Sequence, residues 1–250
     1  MAKGWAVRVT STVESKVAMI NPIAVTAFTL GAIALAVPAA EGLARTRHHA
    51  RAVTPHQATS ASLGPVDWDI GPTIRGRNFS QGVPDHVRGG SGGAMRIDLP
   101  EAPGSVHYVT FAHGSLAGKR RIVMRYRIET APGVEIRPIT APNLPSIITL
   151  YFQRGGDDWS GQGSYETYRW YATFASQTPI VPGDHEIVAS LAGNWTAIQT
   201  SSARTNPRGF AEAVAQADRV GFVLGGGDGY GHGVFATGPA RLTVLDYRIE

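Results

Sequence analysis

The sequence predicts an all-β chain whose folded part is an antiparallel β-sandwich. Three observations carry this. From Val66 onward, apolar residues recur at a spacing of two in one segment after another. Glycine (30 residues) and proline (16) are abundant, which suits tight turns between short strands better than long helices. Only one segment of this region has helical spacing, and one short helix cannot cover a sheet of eight strands. The sheets must therefore cover each other.

The strand segments, in order, are "AMRIDL" (94–99), "VHYVTF" (106–111), "RRIVMRYRIE" (120–129), "SIITLYFQR" (146–154), "YETYRWYATF" (165–174), "HEIVASL" (185–191), "RVGFVL" (219–224) and "ARLTVLDYRIE" (240–250). The third is the clearest. Ile122, Met124, Tyr126 and Ile128 share one face, and Arg121, Arg125, Arg127 and Glu129 the other, so one side is packed and one is wet. The helix is expected near 206–217. Asn206 is its cap, Pro207 its first residue, and Phe210, Ala213, Val214 and Ala217 form its apolar stripe.

Ahead of the domain, no charged residue occurs from Val17 to Ala40, and "IAVTAFTLGAIALAV" (23–37) follows a basic stretch with Lys3, Arg8 and Lys16. Residues 1–44 read as a signal peptide cut after Ala39 or Ala44, or as an uncleaved apolar helix anchoring the chain through residues 17–40. Both readings imply export, to the periplasm or the outside, with membrane contact only through this segment. Residues 45–64 read as a flexible linker, and 65–250 as the β-sandwich domain.

Charge excludes one class of partner. The whole chain carries a formal +4, and residues 1–64, with six basic and two acidic side chains, account for all of it. The domain is formally neutral and lacks the basic surface that phosphate binding needs, so no nucleic acid is expected. Cysteine is absent, which removes disulfides, thiolate catalysis and cysteine-type zinc sites.

Aromatic side chains crowd "GGDDWSGQGSYETYRWY" (155–171). On a strand over 165–174, Tyr168, Trp170, Ala172 and Phe174 fall on a core face. Tyr165, Thr167, Arg169, Tyr171 and Thr173 fall on a wet or ligand-facing one. Trp159 lies in a glycine-rich loop, either exposed or folded back over the sheet as a plug. Trp159, Tyr165, Arg169 and Tyr171 are candidate ligand residues, with Asp157 and Asp158 as hydroxyl partners. A pyranose stacks its apolar C–H face on a ring, while neighbouring polar groups hold its hydroxyls. A second candidate set, Asp228, Tyr230 and His232, sits in "GGGDGYGHGVFATGP" (225–239), read as a long hairpin loop that needs positive φ angles.

Other chemistry finds less support. The nearest dinucleotide-like spacing, Gly231, Gly233 and Ala236, leads into a strand and presents no helix N-terminus to a phosphate. No G-x-S-x-G or H-E-x-x-H occurs. Asp157, Asp158, Glu166, Asp184 and Glu186 supply carboxylates without fixing the pair that glycoside hydrolysis requires. No cofactor is expected; structural calcium in a sandwich loop has Asp157 and Asp158 as its candidate ligands. "DWDIGPTIRGRNFS" (67–80) reads as an irregular stretch across the sandwich, its arginines pairing with carboxylates.

The segments "WDIGPTIRGRNFS", "LYFQRGGDDWSG", "YRWY" and "GHGVFATGPARLTVLDYRIE" resemble uncharacterised exported bacterial proteins over most of 66–250. More loosely, the strand pattern and ending are similar to galactose-binding-like jelly rolls, the architecture of many carbohydrate-binding modules. That resemblance implies a jelly-roll-like sandwich that binds a glycan or other envelope component without catalysis. Two alternatives stand beside it. A polysaccharide hydrolase or lyase needs two or three acids, or a His–Tyr–Arg group, converging in one cleft. A structural envelope protein needs a large apolar patch to bind other proteins.

Overall fold

The computed structural model describes residues 63–198, 201–226 and 230–250, so the expectations for the leader, and for the linker up to residue 62, lie outside it. The fold is all-β. The first strands are β1 (Asp67–Gly71), β2 (Thr73–Ile74), β3 (Arg77–Asn78), β4 (His86–Arg88), β5 (Met95–Leu99), β6 (Tyr108–Ala112), β7 (Arg121–Thr130) and β8 (Ile136–Pro138). Then come β9 (Ser146–Arg154), β10 (Arg169–Tyr171), the one-turn helix α1 (Thr173–Ser176), β11 (Thr178–Pro179), β12 (Gly183–Ser190) and β13 (Thr196–Ala197). Helix α2 (Pro207–Ala215), β14 (Ala217–Gly226), β15 (Val234–Ala236) and β16 (Ala240–Ile249) complete the order.

Two antiparallel sheets dominate. The larger runs β13-β10-β9-β14-β6-β1-β4, with β11 also on β9, and the smaller runs β12-β7-β16-β5. Their inner faces share one hydrophobic core. Trp68 of β1 meets Phe111 of β6 and Tyr247 of β16 at ring distances of 4.7 and 5.6 Å. The Tyr247 hydroxyl crosses the core to donate to the Gly221 carbonyl on β14, 3.0 Å away. Where β9 and β10 carry Phe152 and Trp170, α2 packs with Phe210, 5.9 and 4.9 Å from those rings. Asn206 caps α2 by accepting from the Gly209 N–H, as its sequence implies.

The two sheets differ in a way that positions the site. Strand β7 alternates, with Ile122, Met124, Tyr126 and Ile128 buried and Arg121, Arg125 and Arg127 exposed. Strand β9 does not: Ile148 through Gln153 are all buried. The middle of the larger sheet is therefore covered on both faces, on one by the smaller sheet and on the other by loops.

Three expectations need correction. Residues 165–174 are not one strand. Gly163–Thr167 form a 3-10 turn, only Arg169–Tyr171 pair with β9, and Thr173 starts α1. Local bonds win there, Tyr168 N–H to Tyr165 and Ser176 N–H to Ala172, so Phe174 leaves the core and is 73% exposed. Secondly, the glycine-rich loop closes on β14 through the Gly233 N–H to the Leu224 carbonyl at 2.9 Å, but the strand after it does not continue the hairpin; Val234–Ala236 pair with β8. Thirdly, 67–80 is not irregular: β1 is a strand of the larger sheet, and β2 and β3 form a hairpin turning at Arg75 and Gly76. Exposed at that turn, Arg75 and Arg77 meet no carboxylate among the described residues, and Arg77 lies over the Phe79 ring instead, at 5.2 Å. Among the described residues no helix is long and apolar enough to cross a membrane.

Candidate functional site

On the outer face of the larger sheet, alternate residues of neighbouring strands line up across the pleat. Asp69 of β1 faces Thr110 of β6, which faces Gly221 of β14, then Tyr151 of β9 and Tyr171 of β10. In the adjacent rows stand Tyr108 on β6, Gln153 on β9 and Arg169 on β10. Tyr108, Tyr151, Tyr171 and Val223 form a second buried cluster, separate from the core between the sheets.

This cluster is polar at its tips. The Tyr108 and Tyr171 hydroxyls are 2.8 Å apart, and Tyr151 donates to Gln153 Oε1 at 2.9 Å. Burial pushes all three phenols above their ordinary range, so they are neutral hydroxyls able both to donate and to accept. Gln153 Nε2 donates to Asp157 Oδ2 at 3.2 Å, and the Trp159 N–H donates to Asp157 Oδ1 at 3.0 Å. Arg169 Nε lies 2.8 Å from Asp157 Oδ2, an ion-pair contact without the alignment of a hydrogen bond. Burial raises the Asp157 carboxyl against the pull of Arg169. Burial alone would lower Arg169, but its interactions with Tyr171, Asp157 and Tyr151 outweigh this and hold the guanidinium above its ordinary range.

Loops complete the layer. Trp159 folds back as a partial plug: its ring meets Tyr108 edge-on at 5.3 Å, and the Arg169 guanidinium sits over it at 4.7 Å. From the other side, Tyr230 lies 5.0 Å from the Tyr171 ring. The glycines beside it let the loop lie flat. A Cβ on Gly231 would come within 2.5 Å of the Tyr108 ring, and one on Gly233 within 2.6 Å of the His107 ring. Both also have positive φ, 71° and 89°.

A cleft of about 690 Å³ opens between these parts, and His107, Tyr108, Arg169, Tyr171, Tyr230 and His232 are among its walls. Beside it, sharing Pro72 and Tyr108, is a hollow of about 490 Å³ with Asp69, His86, Gln153, Trp159 and Arg219. A third, of about 430 Å³, takes in Arg75, Arg77, Asp158 and Trp159.

Of the candidates from sequence, Arg169, Tyr171, Tyr230 and His232 share the cleft, and Asp157 lies beneath it on Arg169. Trp159 and Asp158 line the neighbouring hollows. Asp158 accepts from the Ser160 hydroxyl and N–H, which hold its carboxyl below the usual range. Tyr165 is elsewhere, packed on Tyr168 at 4.8 Å, and lines none of the three spaces. Asp228 lies outside the described residues. Asp157, the first calcium candidate, has its carboxylate engaged by Arg169, Gln153 and the Trp159 N–H. Among the described residues no three His, Asp or Glu side chains are grouped to hold a metal ion.

Sequence reasoning missed Tyr108, Tyr151, Gln153 and His107. Their signal is the polar or aromatic residue at every second position, Tyr151 and Gln153 within "LYFQ" and Tyr108 and Thr110 within "HYVT". His107 places Nδ1 3.1 Å from the Gly231 carbonyl and Nε2 3.1 Å from Ser105 Oγ. The first nitrogen thus carries the proton and the second accepts.

Burial lowers His107 below the ordinary 6.5, and the charge of His232 adds to this. A histidine with a lowered folded pKa binds fewer protons folded than unfolded, so its contribution is intact above 6.5 and is lost as pH falls from there through the lowered folded value. The His107→Gln variant is expected to lose less stability than the native chain between pH 7.5 and pH 5 in urea titrations. An unchanged pH slope would assign the dependence to other groups.

Neither a protein-family model nor a curated protein sequence matches the chain.

Proposed function

We propose that the protein binds a glycan in the cleft on the outer face of its larger sheet, by stacking and hydrogen bonds and without turning it over. One observation carries the reading: Tyr108, Tyr171 and Tyr230 converge with Arg169, Gln177 and His232 on a single open cleft. The half-buried Tyr230 offers a sugar both an apolar face and a hydroxyl, backed by the buried Tyr108 and Tyr171, and a few placed polar groups then fix its orientation. The looser resemblance to carbohydrate-binding jelly rolls points the same way. For a chain that reads as exported, an envelope glycan is the partner that fits.

Hydrolysis has less support, since none of the cleft's described lining residues is a carboxylate, and that reaction asks for two. A second reading is elimination by a polysaccharide lyase, favoured by a specific observation: histidine, tyrosine and arginine do meet in the cleft. Against it, both ring nitrogens of His107 already have partners.

The test is affinity electrophoresis of the full-length chain through gels containing soluble polysaccharides, with Tyr230→Ala alongside. Retardation by at least one polysaccharide is expected, with affinity about tenfold or more weaker in the variant, which corresponds to about 1.4 kcal/mol. Equal retardation of both proteins would move the site elsewhere. No retardation across the panel would sink the reading. Release of an unsaturated sugar, seen as ultraviolet absorbance, would replace binding by elimination.

A further inference from the structure

We infer that the ligand is a linear glycan chain longer than a disaccharide and that the hollow beside the cleft, at Asp69 and Arg219, is a second subsite for it. This rests on the glycan-binding reading and names its substrate class. The two spaces are neighbours: Tyr108 and Pro72 are walls of both. One cross-strand row has an end at each space: Tyr171 on β10 lines the cleft, and Thr110 on β6 and Asp69 on β1 line the hollow, with Tyr151 buried between them. The order β10-β9-β14-β6-β1 makes four strand spacings. At about 4.8 Å each, these span roughly 19 Å, more than a mono- or disaccharide covers.

The hollow is already organised for hydroxyl recognition. Asp69 carries both an ion pair to Arg219 and a contact of 2.5 Å to His86 Nδ1, and Arg219 Nε donates to Thr110 Oγ1 at 3.2 Å. Of these groups only Thr110 is buried: the side chains of Asp69, Arg219 and His86 are 38%, 27% and 74% exposed. A carboxylate acceptor beside a guanidinium donor, each held by the other, suits two adjacent sugar hydroxyls, one donating and one accepting. Half-exposed partners fixed in advance bind with little ordering cost. The Trp159 ring stands at the same hollow, so a sugar there would meet an apolar face as well.

A single-sugar site would gain nothing from a longer ligand, whereas a row of subsites gains affinity with each sugar until the row is full. The experiment is calorimetry of the full-length chain with di-, tetra- and hexasaccharides of β-1,4-glucan, β-1,3-glucan and β-1,4-mannan. It uses native protein and the Asp69→Asn, Arg219→Gln and Tyr230→Ala variants. For the series that binds, affinity is expected to rise more than tenfold from disaccharide to hexasaccharide. Asp69→Asn and Arg219→Gln are expected to remove most of that rise and leave the disaccharide within about twofold, while Tyr230→Ala weakens every length. Affinity independent of length, or a hexasaccharide unaffected by both Asp69→Asn and Arg219→Gln, would overturn the second subsite and leave the cleft reading standing. Failure of every series, with Tyr230→Ala also silent, would bring down both. If Arg219→Gln does not fold, Asp69→Asn decides alone.

Discussion

Arg169→Leu is expected to cost the fold about 3–5 kcal/mol, the penalty for leaving one member of a buried ion pair behind. The Arg169 side chain is 9% exposed and that of Asp157 0%, so water reaches the orphaned carboxylate poorly. Asp157 is not free to swing out, because it accepts from Gln153 and from the Trp159 N–H. In a domain of this size the melting midpoint should fall by roughly 6–20 °C. The double variant Arg169→Leu with Asp157→Asn should recover much of the loss, since no uncompensated charge then remains. An unchanged midpoint in the single variant would mean that Asp157 takes up a proton or water at no cost, and the buried pair would lose its structural role. Even where the double variant is stable, glycan retardation should stay low, because the guanidinium is part of the cleft.

Trp68→Ala is expected to be about as severe, at about 3–5 kcal/mol, the range for emptying an aromatic site in a core. Trp68 is fully buried and meets Phe111, Phe222 and Tyr247 at 4.7, 5.8 and 5.6 Å. Its indole N–H donates to the Gly93 carbonyl at 3.1 Å. The alanine variant thus opens a cavity at the junction of the sheets and orphans one carbonyl. Trp68→Phe should cost clearly less, since most of the ring volume stays. Equilibrium urea unfolding of the three proteins measures this, and equal losses in the two variants would show that the hydrogen bond outweighs the packing.

How far the sequence foretold this molecule depends on which sheet is considered. In β7 and β5 one face is wet, so the alternation of Ile122, Met124 and Tyr126 with arginines is visible in one dimension. The outer face of the larger sheet is covered by loops far away in sequence: Trp159 and Tyr230 arrive at Tyr108 and Tyr171 from separate segments. No local period records such a meeting. Arg169 and Tyr171 were legible as a pair because their strand carries them two residues apart. Tyr165 was misplaced because an aromatic run looks like a strand even when Gly163 has already begun a turn. Tyr151 and Gln153 were hidden by their own surroundings, in a strand where six successive residues are buried.

That strand has a consequence for how the chain survives its own folding. "SIITLYF" (146–152) is seven uncharged residues of high β-propensity, the composition of a steric zipper. In the finished protein both its edges are paired, by β14 on one side and by β10 and β11 on the other. β10 comes from nearby, Trp170 against Phe152, but β14 must close a far longer loop to set Val220 against the same Phe152. Until it does, one edge of the strand is a template for any other chain, with Pro145 and Arg154 as the gatekeepers at its ends. Yield of soluble protein is therefore expected to reflect a race between β14 closure and self-association, of which dilution slows only the second.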